Sequence, residues 1–175
     1  AFTEMRARGS KLTDIVILVI AADDGVKPQT IESIKHAKAA KVPIVVAINK
    51  CDLPEADPQK IKNQLLEYEL IAEDLSGDVL MVEISTKTNQ NLEKLVESVI
   101  LQAEILDLKT DFDTDAKGIV LESKIDIGRG PIANVIVTAG TLNKGDYFVS
   151  GLKWGKVRAI INDQGKQIEK AEPAT

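Results

Sequence analysis

An amide, an ammonium and a carboxylate follow one another within four residues, directly after an apolar run. The run Val-Val-Ala-Ile at residues 45–48 ends in Asn49, Lys50, Cys51 and Asp52. Guanine carries two adjacent N–H donors, one on the ring and one on its 2-amino group, and a single carboxylate accepts both in a charge-assisted contact. Adenine offers no such pair. Because a site built around required hydrogen bonds discriminates about 10⁴-fold, Asp52 is a candidate for guanine recognition.

The two residues before the carboxylate can complete such a site. The amide of Asn49 can bridge neighbouring loops or reach the edge of the base, and both options stay open at this point. The aliphatic stem of Lys50 can lie over the ring while its ammonium stays in water. A simpler interpretation also stands, because Asn and Asp are common in turns that follow strands.

A second polar segment, Ser85, Thr86 and Lys87, follows another apolar run. If the two runs are neighbouring strands, this segment lies beside Asn49 and Asp52, and its backbone N–H groups can close on the oxygen of the base. The alternative is that Ser85 and Thr86 only cap the next helix.

The apolar pattern predicts the elements that must position these residues. Near-continuous β-branched runs at 14–22, 42–49 and 79–85 are typical of parallel strands that are covered on both faces. Helical patterns lie between and after them, at 29–41, after Asp57-Pro58, and at 89–108. The last has an apolar stripe of Leu92, Leu95, Val96, Val99, Ile100, Ala103 and Leu106. This alternation predicts a doubly wound α/β sheet, in which ligands bind at the carboxyl ends of the strands.

The pattern changes after Leu108. Residues 109–117 are polar and acidic, which is typical of a linker, and residues 118–175 alternate short apolar runs with glycine-containing turns. Short strands at this spacing favour an antiparallel sheet, and in particular a barrel. The sequence therefore predicts two domains, 1–108 and 118–175, joined by 109–117.

Composition limits the class of protein. With 44% hydrophobic residues among 175, the chain can bury a core, and no apolar run approaches the roughly 20 residues that cross a bilayer. The single cysteine, Cys51, suits a reducing compartment. A net charge of -5 argues against binding nucleic acid through overall basicity, although residues 118–175 carry eight basic and six acidic groups.

The sequence resembles a known family at the residues already named. Asn-Lys-Cys-Asp at 49–52 and Ser-Thr-Lys at 85–87 look like the two guanine-recognition motifs of GTPases, the second of which is more usually Ser-Ala-Lys. The stretches 13–50 and 118–146 are similar to the second half of the G domain of bacterial-type translation initiation factor 2 and to the start of its following β-barrel. This resemblance covers almost the whole chain. It implies an α/β fold with part of a P-loop GTPase-type parallel sheet and flanking helices, followed by a truncated antiparallel β-barrel.

The resemblance also implies a function. It implies binding of GTP or GDP, with Mg in the intact protein, through Asn49, Lys50, Asp52, Ser85, Thr86 and Lys87. It further implies GTP hydrolysis, docking to small-subunit ribosomal RNA, and promotion of initiator tRNA binding and subunit joining. The expected location is the bacterial cytoplasm, or the mitochondrial matrix if the protein is organellar. A non-catalytic module that docks to the ribosome is the alternative.

Parts of the family pattern are missing from the sequence. It contains no G-x-x-x-x-G-K-[ST] phosphate loop, and the resemblance implies that the family's Asp-x-x-Gly segment for metal and water positioning would lie before Ala1, so we expect a fragment that is inactive alone. The resemblance makes residues 5–9 the helix that follows the second switch in the family.

Three other features have a simple structural interpretation beside a functional one. Two adjacent carboxylates, Asp23 and Asp24, before Gly25 are typical of a turn rather than of a metal site. The flanking glycines of Arg129 favour a solvated hairpin tip over a contact with RNA. For Trp154, packing within the protein and stacking on RNA both stay open.

Overall fold

The structure is a computed structural model that describes residues 13–175. It divides into two compact units, Ala1–Leu108 and Lys109–Thr175. The helix expected around residues 5–9 lies outside the described residues. Within 13–175, no helix is both long enough and apolar enough to span a membrane.

A three-stranded parallel sheet forms the centre of the first unit. Its strands are β1 (Val16–Ala21), β2 (Ile44–Asn49) and β3 (Met81–Glu83), and they lie in the order β1-β2-β3. The register pairs Ala21 with Asn49 and Ile48 with Glu83. The predicted parallel sheet is therefore confirmed, and the loops that leave the three strands start side by side.

Helices cover both faces of the central strand. They are α1 (Pro28–Ala39), α2 (Pro58–Leu66) and α3 (Leu92–Leu106). One face of the sheet packs against α1 and α2 in a cluster that includes Ile34, Ile48, Ile61 and Leu65. The other face packs against the start of α3 through Ala47, Val82, Leu92 and Leu95. Five of the six residues of β2 are consequently buried, as predicted from its continuous apolar run.

The first strand differs from the prediction that all three strands are covered on both faces. Its exposure alternates, and Ile17 and Val19 are 45% and 58% exposed. The reason lies in the strand order, because β1 forms an edge of the sheet and α3 packs over β2 and β3. The stripe along α3 is only partly covered for the same reason, and Val96 and Ile100 remain about half exposed.

The helix ends follow local capping rules. Asp57 precedes α2, and its Oδ1 accepts a hydrogen bond of 2.9 Å from the backbone N–H of Lys60, which confirms the predicted cap and first-turn proline. The last helix begins at Leu92, three residues after the predicted start at residue 89. Asn89 and Asn91 have φ values of 58° and 56°, a left-handed conformation that a continuing helix cannot include.

The second unit consists of antiparallel strands, as predicted. They are β4 (Lys117–Asp126), β5 (Gly130–Ala139), β6 (Leu142–Asn143), β7 (Tyr147–Ser150), β8 (Lys153–Lys156), β9 (Ile160–Ile161), β10 (Gln167–Ile168) and β11 (Lys170–Ala171). They pair two at a time as β4–β5, β7–β8, β9–β10 and β6–β11. The strands of the predicted barrel thus form four separate two-stranded ladders rather than one continuous sheet.

Arg129 and Trp154, the two residues of this unit considered for RNA contacts, lie in its hairpins. Arg129 is at the tip between β4 and β5, where its backbone N–H donates to Asp126 Oδ1 at 2.9 Å. Trp154, in β8, is 77% exposed. Its indole is therefore not part of a core.

Candidate functional site

The loops after the three parallel strands carry the candidate site. The backbone N–H of Ala22 donates to the carbonyl of Asn49 at 2.8 Å, and that of Cys51 donates to the carbonyl of Ile84 at 3.1 Å. Each loop is therefore held by the backbone of its neighbour. This edge of the sheet is where open α/β folds bind ligands.

Asn49 links the second and third loops. Its Oδ1 accepts from the backbone N–H groups of Lys50 at 2.8 Å and Thr86 at 3.1 Å. Its Nδ2 donates to the hydroxyl of Thr86 at 3.3 Å. Of the two options that the sequence left open, the structure shows this amide in the bridging position.

Ser85 joins the same two loops through Asp52. The Ser85 side chain is fully buried, and its hydroxyl donates to Asp52 Oδ1 at 2.7 Å while accepting from the backbone N–H of Thr88 at 3.2 Å. Ser85 does not cap the following helix, because the residue before α3 is Asn91. The serine instead fixes the direction of the Asp52 carboxylate, which remains partly exposed.

The electrostatics keep this carboxylate ionised. The hydrogen bond from Ser85 holds the pKa of Asp52 below its usual value, and the charge of Lys87 acts in the same direction. Partial desolvation opposes both without reversing the shift. At neutral pH the side chain is thus a pure acceptor, as a contact with two N–H donors requires.

We predict that Ser85→Ala raises the pKa of Asp52 towards its ordinary value. A pKa that is lower in the folded than in the unfolded protein stabilises the fold above the unfolded pKa, and this contribution is lost as pH falls through the folded pKa. The variant should therefore lose unfolding free energy at neutral pH, with a smaller loss in acid. Titration of the Asp52 carboxyl carbon by NMR measures the pKa.

The control for this prediction is Ser98→Ala. The Ser98 hydroxyl also donates one hydrogen bond, at 2.9 Å to the carbonyl of Lys94, but it lies on α3. We expect it to leave the pKa of Asp52 unchanged. An equal pKa of Asp52 in the Ser85→Ala variant and the parent would contradict the role given to Ser85.

The first loop adds a residue that the sequence analysis did not assign to the site. Asp23 Oδ2 lies 2.9 Å from the ammonium of Lys50. This hydrogen bond lowers the pKa of Asp23 and raises the pKa of Lys50. As predicted, Asp23 and Asp24 lie in a turn. The sequence feature that could have indicated this contact is the position of Asp23, two residues past β1, the strand that pairs with β2.

A shallow cavity opens between the second and third loops. Its volume is about 340 Å³, and its lining contains Asn49, Lys50, Asp52, Leu53, Thr86 and Lys87. Five of the six predicted site residues therefore line one cavity, and the sixth, Ser85, is buried behind Asp52. A separate depression of about 420 Å³ runs along α2 and involves none of the six.

Magnesium does not fit the residues that the structure describes. Among residues 13–175, no group of three or more His, Cys, Asp or Glu side chains could hold a metal ion. We therefore derive no step through this ion.

Family models match both units. Residues 1–104 match the elongation factor Tu GTP binding domain, and residues 115–175 match elongation factor G domain 2. The chain therefore belongs to the GTP-binding domain family of elongation factor Tu, one of the translational GTPases.

Curated relatives narrow this class. The chain is 81% identical over 174 residues to translation initiation factor IF-2 of Pelagibacter ubique, covering 99% of this chain and 24% of that protein. It is 59% identical to translation initiation factor IF-2 of Cereibacter sphaeroides, covering 99% of this chain and 21% of that protein. The chain thus spans a quarter or less of the length of these relatives, and it corresponds to a segment of a factor of this type.

Solved structures support the fold. GDP-bound aIF5B from Aeropyrum pernix superposes with a TM-score of 0.78 at 23% identity, over 94% of this chain and 37% of that one. Translation elongation factor SelB from Methanococcus maripaludis, in complex with the GTP analogue GPPNHP, gives 0.73 at 21% identity, over 99% and 38%. At these identities the likeness concerns the fold alone.

Proposed function

We propose that this chain is the guanine-recognising half of the G domain of a bacterial translation initiation factor 2, with part of the following barrel. In the domain division that we propose, residues 1–108 and 118–175 belong to these two parts and 109–117 link them. The observation that supports the base site best is the 2.7 Å hydrogen bond from buried Ser85 to Asp52, which orients the carboxylate at the mouth of the cavity.

Each residue of the site has a distinct task in this proposal. Asp52 accepts from the ring N–H and the 2-amino group of guanine. Asn49 and Ser85 hold the second and third loops together and so fix the width of the cavity. The stem of Lys50 covers one face of the ring.

The third loop supplies the donor for the oxygen of the base. Within residues 85–88, three of the four backbone N–H groups donate within the protein: that of Ser85 to the carbonyl of Gln90, that of Thr86 to Asn49, and that of Thr88 to Ser85. We therefore assign the remaining N–H, that of Lys87, to the base oxygen. This assignment gives the base oxygen a donor, while Asp52 accepts from the ring N–H and the 2-amino group.

Phosphates and Mg belong to residues other than those described. When bound, GTP and Mg supply the phosphoryl-transfer chemistry, which depends on positioning and charge stabilisation around the phosphates. We propose that the complete factor, meaning a protein of the length of the relatives that carries this segment, hydrolyses GTP in the bacterial cytoplasm. Its proposed partners are the ribosomal small subunit and initiator tRNA.

A second candidate function is a non-catalytic module that docks to ribosomal RNA. It is favoured by the exposed β7–β8 hairpin, where the ammonium of Lys156 lies 5.3 Å from the ring centre of Tyr147 and Trp154 is exposed. Base-selective nucleotide binding separates the two candidates, because a docking module has no need of it.

The proposed base site predicts weaker binding of IDP than of GDP to the complete factor. Hypoxanthine keeps the ring N–H and the oxygen but lacks the 2-amino group, so Asp52 loses one of its two donors. The loss of one charge-assisted hydrogen bond corresponds to about 10-fold to 100-fold in affinity. Competition against a fluorescent GDP analogue measures the ratio, with ADP as the control that lacks both contacts. Equal affinities for GDP and IDP would contradict the role of Asp52.

A further inference from the structure

We propose that Asp23 is a positioning residue of the base site: its carboxylate holds the ammonium of Lys50, so that the stem of Lys50 forms a preformed wall of the cavity. This inference rests on the proposed function, because it assumes that a base enters the cavity. It adds the first loop, the one after β1, to the second and third loops of the site.

The backbone on both sides of the ion pair is fixed. Asp23 lies in a turn in which the N–H groups of Asp24 and Gly25 donate to the carbonyl of Ala21, at 3.2 and 3.1 Å. Lys50 has a φ of 64°, in the left-handed region that non-glycine residues seldom adopt. Its carbonyl accepts from the N–H of Leu53 at 3.2 Å. The two charged groups therefore meet because two rigid turns aim them at each other.

The exposure of the partners indicates which one directs the other. The Asp23 side chain is 25% exposed and that of Lys50 is 46% exposed, so the shorter and more buried carboxylate is the anchor. A lysine without such an anchor samples many rotamers, and ordering it on binding costs conformational entropy. Holding the stem in place beforehand removes part of that cost.

An alternative is that this is an ordinary surface ion pair. Exposed pairs contribute little to folding stability. Both interpretations therefore predict a nearly unchanged unfolding midpoint for Asp23→Asn, and they differ only in nucleotide binding. Because the stem contacts the face of the ring, which guanine and hypoxanthine share, our proposal predicts an equal loss for both bases.

The test is the affinity of the complete factor for GDP and IDP. We expect Asp23→Asn to weaken both by the same factor, about 3-fold to 10-fold, the size associated with ordering one long side chain. Asp23→Glu should restore part of the loss. The matched control is Asp24→Asn, whose carboxylate pairs instead with Lys27 at 3.4 Å and should change binding less than about twofold.

A double variant shows whether Asp23 acts through Lys50. In a Lys50→Met background, which keeps an aliphatic stem but removes the ammonium, Asp23→Asn should have no further effect. An Asp23→Asn variant that binds like Asp24→Asn would overturn the proposal. So would an equal loss in the Lys50→Met background, or a loss that differs between GDP and IDP.

The same affinities distinguish a failure of the positioning role of Asp23 from a failure of the proposed base site. The ratio of GDP to IDP affinity in the unsubstituted factor tests Asp52 alone. A ratio of one contradicts the base site, whereas a ratio above about ten with no effect of Asp23→Asn contradicts only the positioning role.

Discussion

In the complete factor, Asp52→Asn is expected to shift nucleotide preference from guanosine to xanthosine by about 10²-fold or more. The asparagine amide offers one donor and one acceptor where the carboxylate offered two acceptors. It therefore loses a contact with the 2-amino group of guanine and gains one with the 2-oxygen of xanthine. One charge-assisted hydrogen bond to guanine is lost and one neutral hydrogen bond to xanthine is gained, and partial solvent exposure of residue 52 places the shift at about 10²-fold.

Competition between GDP and XDP for a fluorescent nucleotide measures this shift directly. The matched control is Asp57→Asn, five residues further along, because Asn caps a helix about as well as Asp and residue 57 contacts the N-terminus of α2. The control should keep its preference for GDP. Unchanged selectivity in the Asp52→Asn variant would remove the main support for the proposed function.

The second large effect concerns the 175-residue chain on its own. We predict no GTP hydrolysis and weak or no GTP binding, because phosphoryl transfer depends on a phosphate loop and this sequence contains no G-x-x-x-x-G-K-[ST] string. In the proposed function, only the contacts between the base and the residues around Asp52 would then supply affinity. Isothermal titration with GTP measures the constant, and a colorimetric phosphate assay measures turnover.

The complete factor in the same titration provides the reference. It should bind GTP far more tightly than the 175-residue chain, and the difference measures what the phosphate-binding half contributes. A submicromolar dissociation constant for the short chain would show that the residues described here bind more than the base.

The apolar periodicity was sufficient to predict the central sheet. The run that ends at Asn49 is buried along almost its whole length, as continuous β-branched segments between two helical layers must be. The cap at Asp57-Pro58 was also predictable, because it depends on only four neighbouring residues. Exposure of Ile17 and Val19 was not predictable, since it depends on which strand lies at the edge and on where α3 packs.

Residue types around the cavity were predictable, but their contacts with each other were not. The positions of Asn49 and Asp52 follow from the end of a strand, which periodicity locates. The contact between Lys50 and Asp23 depends on two turns that are 27 residues apart in sequence. Likewise, the start of α3 depends on left-handed backbone at Asn89 and Asn91, which the apolar stripe does not encode.

Strand pairing in the second unit shows the same limit. Glycine turns and short apolar runs indicated antiparallel strands, and local hairpins such as β4–β5 followed. The pairing of β6 with β11 joins Leu142–Asn143 to Lys170–Ala171. A match of two residues across such a distance leaves no pattern in the sequence, because two-residue strands are too short to show alternation.

The most direct measurement is a crystal structure of the complete factor with GDP. Our account predicts that the ring nitrogen and the 2-amino nitrogen of guanine each lie within about 2.7–3.2 Å of an oxygen of the Asp52 carboxylate. The two nitrogens can contact different oxygens or share one. It also predicts that Ser85 still donates to Asp52 and that the stem of Lys50 lies against the ring. A base bound outside the loops at 49–52 and 85–88, with the residue 52 side chain directed away from it, would contradict the account.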